Sequence, residues 1–220
     1  MMKKIVSILA LFLLWAGCFA QDNGFSTYYN QKRTLFEQLP DTKREIIFLG
    51  NSITDGCEWA ELLQNHRVKN RGISGDTTDG VLYRLKEVTS SSPEKVFLMI
   101  GINDLSRDVP KETVFANICK IAEQIREDSP RTKVYIESIL PVNDAFGKFS
   151  KHTNKGPEVL WVNAQLKDWC QKNQVRYIDL YSHFTAPGSD LLNPDFTNDG
   201  LHLTAAGYLT WIRVIAADVK

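Results

Sequence analysis

Two apolar runs, each closing on a glycine, constrain this chain more than any other feature. Ile46-Ile47-Phe48-Leu49-Gly50 and Val96-Phe97-Leu98-Met99-Ile100-Gly101 show no polar alternation, the pattern of a strand buried on both faces. Val134-Tyr135-Ile136 and Val175-Arg176-Tyr177-Ile178 are weaker versions, and Val68-Lys69-Asn70-Arg71-Gly72 reads as a short strand nearer an edge. Helix spacing fills the gaps: Val114, Ile118, Ile121, Ala122 and Ile125 share one face, as do Val159, Val162, Leu166, Trp169 and Cys170. Pro157 suits the first turn of the second of these helices, and Thr204 suits the N-cap of an amphipathic stretch from Ala205 to Val219. Buried strands alternating with helices mean a parallel sheet covered on both faces. The expected fold is therefore α/β: a three-layer α/β/α, flavodoxin-like domain with a central parallel sheet of about five strands.

Length and composition fit one such domain. The chain has 220 residues, 43% hydrophobic and 24% charged, enough apolar material for a full core. Residues 1–20 read as an export leader, leaving 21–220 as the domain. Lys3 and Lys4 precede the apolar run Ile5–Trp15, and small residues follow in Ala16-Gly17-Cys18-Phe19-Ala20. Cleavage after Ala20 is the preferred reading and implies a periplasmic or secreted protein. The alternative is lipidation at Cys18, the one route by which the sequence offers membrane attachment. Without the leader, 24 Lys and Arg face 26 Asp and Glu with no basic cluster, which argues against a nucleic-acid partner.

Three cysteines remain, Cys57, Cys119 and Cys170. Cys119 and Cys170 fall in apolar helical patterns and read as buried thiols, with a disulfide between them left open. His66, His152 and His183 are scattered without ligand spacing, so no metal site is expected. Trp59, Trp161, Trp169 and Trp211 lie in helical patterns and read as packing residues.

Each polar cluster of interest falls after a strand. Gly50-Asn51-Ser52-Ile53-Thr54 follows the first, Gly72-Ile73-Ser74-Gly75-Asp76-Thr77-Thr78 the second and Gly101-Ile102-Asn103-Asp104 the third. Asp199-Gly200-Leu201-His202 precedes the last helix. Singly these are ordinary signals. A serine after a strand caps a helix, Asn-Asp and Asp-Gly make turns, and Asp76, Thr77 and Thr78 cap and begin the next helix. Jointly they describe loops at one edge of one sheet, where α/β proteins build their sites. The long polar segment Pro141–Gly156 belongs to the same edge, and Phe146, Phe149 and His152 in it are candidate substrate contacts.

The four clusters resemble, in order, the sequence blocks of the SGNH (GDSL-like) hydrolases: Gly50-Asn51-Ser52, Gly75, Gly101-Ile102-Asn103-Asp104 and Asp199-Gly200-Leu201-His202. The run Asn70–Leu85 is similar to the platelet-activating-factor acetylhydrolase catalytic subunits and their bacterial acetylesterase relatives. One position departs from the family pattern, since Asn51 stands where Asp usually precedes the serine. Asn51 carries no charge, which leaves Asp199 as the better carboxylate partner for a histidine.

The resemblance implies a serine esterase needing no cofactor, with Ser52 as nucleophile, His202 as its base and Asp199 orienting that base. The backbone N–H groups of Ser52 and Gly75 and the side-chain amide of Asn103 are the implied oxyanion donors. The implied substrate is a short acyl ester, an O-acetyl group on a carbohydrate being the best guess. A lysophospholipase or thioesterase on the same scaffold, or a non-catalytic carbohydrate-binding module, are the rivals. Residues 50–54 lack the Gly-x-Ser-x-Gly elbow of the common α/β-hydrolases.

Overall fold

A computed structural model describes residues 24–220. Residues 1–20, expected to form a leader, lie outside them, Cys18 included. The order of elements is α1 (Thr27–Phe36), β1 (Ile46–Gly50), α2 (Ser52–Asp55), α3 (Trp59–Leu62), β2 (Val68–Gly72), α4 (Thr78–Thr89), β3 (Lys95–Met99), α5 (Ile102–Ser106), α6 (Lys111–Asp128), β4 (Lys133–Glu137), α7 (Ser150–Thr153), α8 (Gly156–Asn173), β5 (Arg176–Ile178), α9 (Tyr181–Phe184) and α10 (Ala205–Val219). The five strands form one parallel sheet in the order β2-β1-β3-β4-β5. This is the expected three-layer α/β/α arrangement, with β2 at an edge.

The strand order dictates where the helices go. Parallel crossovers are right-handed, so reversing direction along the sheet moves the connection to the other face. The β1-to-β2 crossover carries α2 and α3 on one face. The crossovers from β2 through β5 all run the opposite way and place α4, α6 and α8 together on the other, where α6 packs against both neighbours. On the first face, Phe48, Phe97 and Tyr135 sit in register on β1, β3 and β4, their rings stacked at 4.9 and 4.5 Å. Trp59 of α3 stacks on Phe48 at 4.1 Å, and Trp211 of α10 meets Trp59 edge-on at 5.0 Å. Trp59 and Trp211 are among the largest fully buried side chains, so this aromatic layer replaces solvent over the sheet centre.

Two polar arrangements are buried in the fold. Arg84 of α4, with no exposed side-chain surface, donates to Asp76 Oδ2 (2.9 Å), Glu87 Oε1 (2.9 Å) and the Arg71 carbonyl (2.8 Å). At the end of β4, Glu137 accepts Trp211 Nε1–H at 2.7 Å. Burial pushes its carboxyl up to about 8, the Trp211 bond opposing only in part.

β3 stops at Met99, two residues short of the apolar run. Gly101 turns the chain there with φ +129° and opens α5. Cys57, Cys119 and Cys170 are all free, buried thiols, so the pairing left open between the last two is not formed.

Candidate active site

The sheet reverses direction between β1 and β3, and a crevice opens at the carboxyl ends of strands at such a switch point. Ser52 is the first residue after β1 bar one, and Asn103 lies in the first turn of α5 after β3. Gly75 lies in the turn after β2. The Asp76 N–H donates to the Ile73 carbonyl at 3.0 Å, and Gly75 takes φ +80° at the third turn position, the backbone a type II turn asks for. A Cβ at Gly75 would meet only Arg107 Nη2 at 3.9 Å. Conformation rather than crowding therefore calls for glycine.

Ser52 starts α2. The capping is done by its neighbour: Asn51 Oδ1 accepts Ile53 N–H at 3.0 Å. The uncharged residue at this position thus satisfies a helix-start donor and leaves Ser52 free to face the crevice. From β2, Asn70 Nδ2 reaches the Thr54, Asp55 and Cys57 carbonyls at 3.0–3.1 Å and pins the far end of α2.

Ser52 Oγ lies 3.0 Å from His202 Nε2, and His202 Nδ1 lies 2.8 Å from Asp199 Oδ2. The loop that carries this pair is locked mostly by its own residues. Asp199 Oδ1 accepts the N–H groups of Leu201 (2.9 Å) and His202 (2.8 Å), and Thr197 Oγ1 accepts that of Gly200 (2.9 Å). Gly200 takes φ +84°, and a Cβ there would fall 2.0 Å from the Asn143 carbonyl oxygen. Burial alone would raise the Asp199 carboxyl, but the His202 ring and the two N–H groups outweigh it and hold Asp199 below the usual range. Asp199 is therefore ionised at neutral pH, and its Oδ2 fixes the Nδ1–H tautomer, which turns the lone pair of Nε2 toward Ser52.

The opposite wall is built from longer-range contacts. Asn103 is buried and donates from Nδ2 to the Asp76 carbonyl at 2.8 Å, next to Gly75. Arg107 Nη2 donates to the Gly75 carbonyl at 2.8 Å. Asp104 accepts both Thr78 N–H and Thr78 Oγ1–H, fastening α5 to the first turn of α4. Asp76 accepts Thr77 N–H at 2.9 Å, Thr77 Oγ1 caps α4, and the helix begins at Thr78, as expected of these three residues. Asp76 is also fully buried against Arg84. Burial pushes its carboxyl up to about 6, while the Arg84 guanidinium at 2.9 Å opposes that and favours the ionised form.

The segment after β4 folds over the site and carries α7. Phe149 adopts φ +51°, an uncommon conformation for a non-glycine residue. Its ring meets His202 edge-on at 5.0 Å and His152 at 6.0 Å. His152 Nε2 lies 3.0 Å from Asn103 Oδ1. Phe146 lies instead against Gly200, a ring carbon 3.3 Å from where a Cβ would stand. An open cleft of about 670 Å³ runs along Ser52 and His202, lined by Tyr28, Asp55, Gly56, Ser74 and Gly75. The sequence did not point to Tyr28 or Asp55. They reach the cleft because Tyr28 Oη donates to Asp55 Oδ2 at 2.7 Å across 27 residues, a contact that leaves no local pattern.

Known proteins resemble this chain in sequence and in fold. The chain is 25% identical over 191 residues to the platelet-activating factor acetylhydrolase IB subunit alpha2 of Rattus norvegicus, covering 84% of this chain and 80% of that protein. A GDSL-like lipase from Bacteroides thetaiotaomicron superposes with a TM-score of 0.75 at 25% identity, over 87% of this chain and 96% of that one. An acetylxylan esterase from Geobacillus stearothermophilus shares the fold, with a TM-score of 0.64 at 17% identity over 82% and 95% of the two chains. The sequence profile of the GDSL-like lipase/acylhydrolase family matches residues 48–209, which span every strand but the first two residues of β1 and both walls of the crevice; the chain belongs to that family of hydrolases.

Proposed function

We propose that this hydrolase is a serine esterase acting on short-chain acyl esters, best on O-acetyl groups of carbohydrates, through an acyl-serine intermediate. The observation that carries the reading is the relay from Ser52 Oγ through both ring nitrogens of His202 to Asp199, at 3.0 and 2.8 Å. In the first half-reaction Ser52 Oγ bonds to the ester carbonyl carbon while its proton passes to His202 Nε2. The carbonyl oxygen becomes an oxyanion facing the N–H groups of Ser52 and Gly75 and the amide of Asn103. As it collapses, the C–O bond to the alcohol breaks and His202 returns the proton to the leaving oxygen. Water then repeats the sequence on the acyl-serine, releasing the carboxylic acid. Asp199 stays ionised throughout and stabilises the imidazolium.

One feature supports a polar alcohol. The open cleft carries the Tyr28 and Ser74 hydroxyls and the Asp55 carboxylate, groups able to hydrogen-bond a sugar. The name of the rat relative speaks of an acetylhydrolase, in line with this reading.

A panel of p-nitrophenyl esters from acetate to palmitate tests it. We expect kcat/KM to fall with acyl length, whereas preference for long chains would favour the lysophospholipase or thioesterase reading. A fluorophosphonate probe should label wild-type protein but not Ser52→Ala. Absence of labelling in wild type would favour a binding module. Residues 1–20 support export on sequence grounds, and mass determination of the mature N-terminus separates cleavage after Ala20 from lipidation at Cys18.

A further inference from the structure

We propose that His152 is a positioning residue for the oxyanion site: its Nε2–H donates to Asn103 Oδ1 and holds the Asn103 amide with one N–H left over for the substrate oxygen. The inference rests on the esterase reading above.

Donors and acceptors around the Asn103 amide settle its orientation. The Asn103 amide has two N–H groups and one oxygen. One N–H is committed to the Asp76 carbonyl at 2.8 Å, a group that can only accept. This contact fixes which end of the amide is nitrogen, so the atom facing His152 Nε2 at 3.0 Å is the oxygen. An amide oxygen donates nothing, so the proton between them belongs to Nε2. With nitrogen and oxygen each held by a different neighbour, the side chain has a single orientation, and among the described residues the second N–H has no committed partner.

The surroundings fix the ring as well. Phe149 stands edge-on to it at 86°, and the Phe149 carbonyl accepts the His152 backbone N–H at 2.7 Å. Burial, then the neighbouring His202 and Arg107, hold His152 below the ordinary histidine range. At neutral pH it therefore carries one ring proton, and geometry assigns that proton to Nε2. The contact of His152 Nε2 with Asn103 Oδ1 gives it a route to act through Asn103. An oxyanion donor is worth about 10²–10³ in kcat when it is aimed correctly. Loss of the aiming group should forfeit part of that.

The test compares His152→Phe, which keeps a ring without the donor, with His152→Gln, whose amide can still donate. With p-nitrophenyl acetate we expect His152→Phe to lower kcat about 10-fold with KM little changed, a fraction of the full oxyanion-donor loss. We expect His152→Gln to recover most of it, and His152→Phe/Asn103→Ala to be no slower than Asn103→Ala alone. Wild-type kcat in a folded His152→Phe protein, failure of His152→Gln to recover, or multiplying losses in the double variant would each overturn the inference. Ring ¹⁵N shifts of His152 give a readout independent of turnover. They should show the Nε2–H tautomer at neutral pH, and the Nδ1–H tautomer would overturn the inference whatever the activity. Wild-type protein that neither hydrolyses esters nor labels at Ser52 would instead sink the esterase reading itself.

Discussion

The two walls of the crevice are held in different ways. The wall carrying His202 is assembled mostly within a few residues of itself: Asp199 contacts the ring and two backbone N–H groups of residues no more than three positions on, and Thr197 holds Gly200, with the Asn143 N–H on the Gly200 carbonyl as a longer-range tie. The wall carrying Asn103 draws on partners scattered over the chain. Asp76 lies 27 residues away and His152 lies 49 away, while Asp76 in turn leans on Arg84. A local turn can be right even where the rest of the fold is loosened. A distributed wall is only as well placed as the helices and sheet that bring its parts together. The base should therefore be robust to remote substitution, and the oxyanion site should not.

Ser52 belongs to both walls, and its removal sets the floor for either. Ser52→Ala should lower kcat on the order of 10⁶-fold with no loss of thermal stability, read by turnover and melting temperature. Residual turnover well above that floor would mean that another nucleophile is at work.

The local wall comes next. Asp199→Asn should cost roughly 10⁴-fold in kcat through loss of tautomer control and charge. The loss should be little greater in combination with His202→Ala than for His202→Ala alone. Independent, multiplying losses would show that Asp199 acts somewhere other than on the ring.

Arg84→Met attacks the distributed wall from behind, leaving Asp76 buried without its cation and Glu87 with Arg71 alone. It should destabilise the fold by about 3–5 kcal/mol in denaturant titration, and lower kcat at temperatures where the variant is still folded. Unchanged kcat in that window would mean that Asp76 holds Asn103 without support from Arg84.

Asn103→Ala should cost about 10²–10³-fold in kcat, with KM nearly unchanged. A change confined to KM would make Asn103 a ground-state contact.

The smallest effect concerns stability alone. Glu137 holds its proton up to about 8 in the folded chain but releases it near the ordinary glutamate range, about 4.3, when unfolded. The folded state therefore binds the extra proton between those values. Stability should fall as pH rises through that window and level off above it. Glu137→Gln should flatten the melting temperature against pH while leaving kcat unchanged, because Glu137 lies under α10 and touches neither wall.

The same contrast explains what the sequence made legible. Continuous apolar runs such as Ile46–Leu49 admit few readings, so the strands and their order of loops were plain, though β3 ended early because Gly101 was needed to turn into α5. Asp199 and His202 were legible as a pair because three residues with a glycine between them can meet only by turning, and they do so at 2.8 Å. Asn103 could be named as a candidate from its block, but not its two clamps. Asp76 read as a cap residue, because its burial against Arg84 depends on α4 closing over β2, and nothing adjacent in sequence announces that. His152 and Phe149 could be placed in a loop near the crevice. That one would touch Asn103 and the other His202 depends on how the segment after β4 folds back.

The three thiols have a use beyond filling space. Cys57 follows α2, Cys119 sits in α6 and Cys170 in α8, so they sample both layers flanking the sheet. Burial pushes each up to about 12, and the thiolate, the form that reacts, is all but absent while the chain stays closed. A thiol reagent can then reach them only when the surrounding layer opens. The protein carries its own breathing gauge: relative labelling rates at the three positions would report which layer gives way first, without a probe being added.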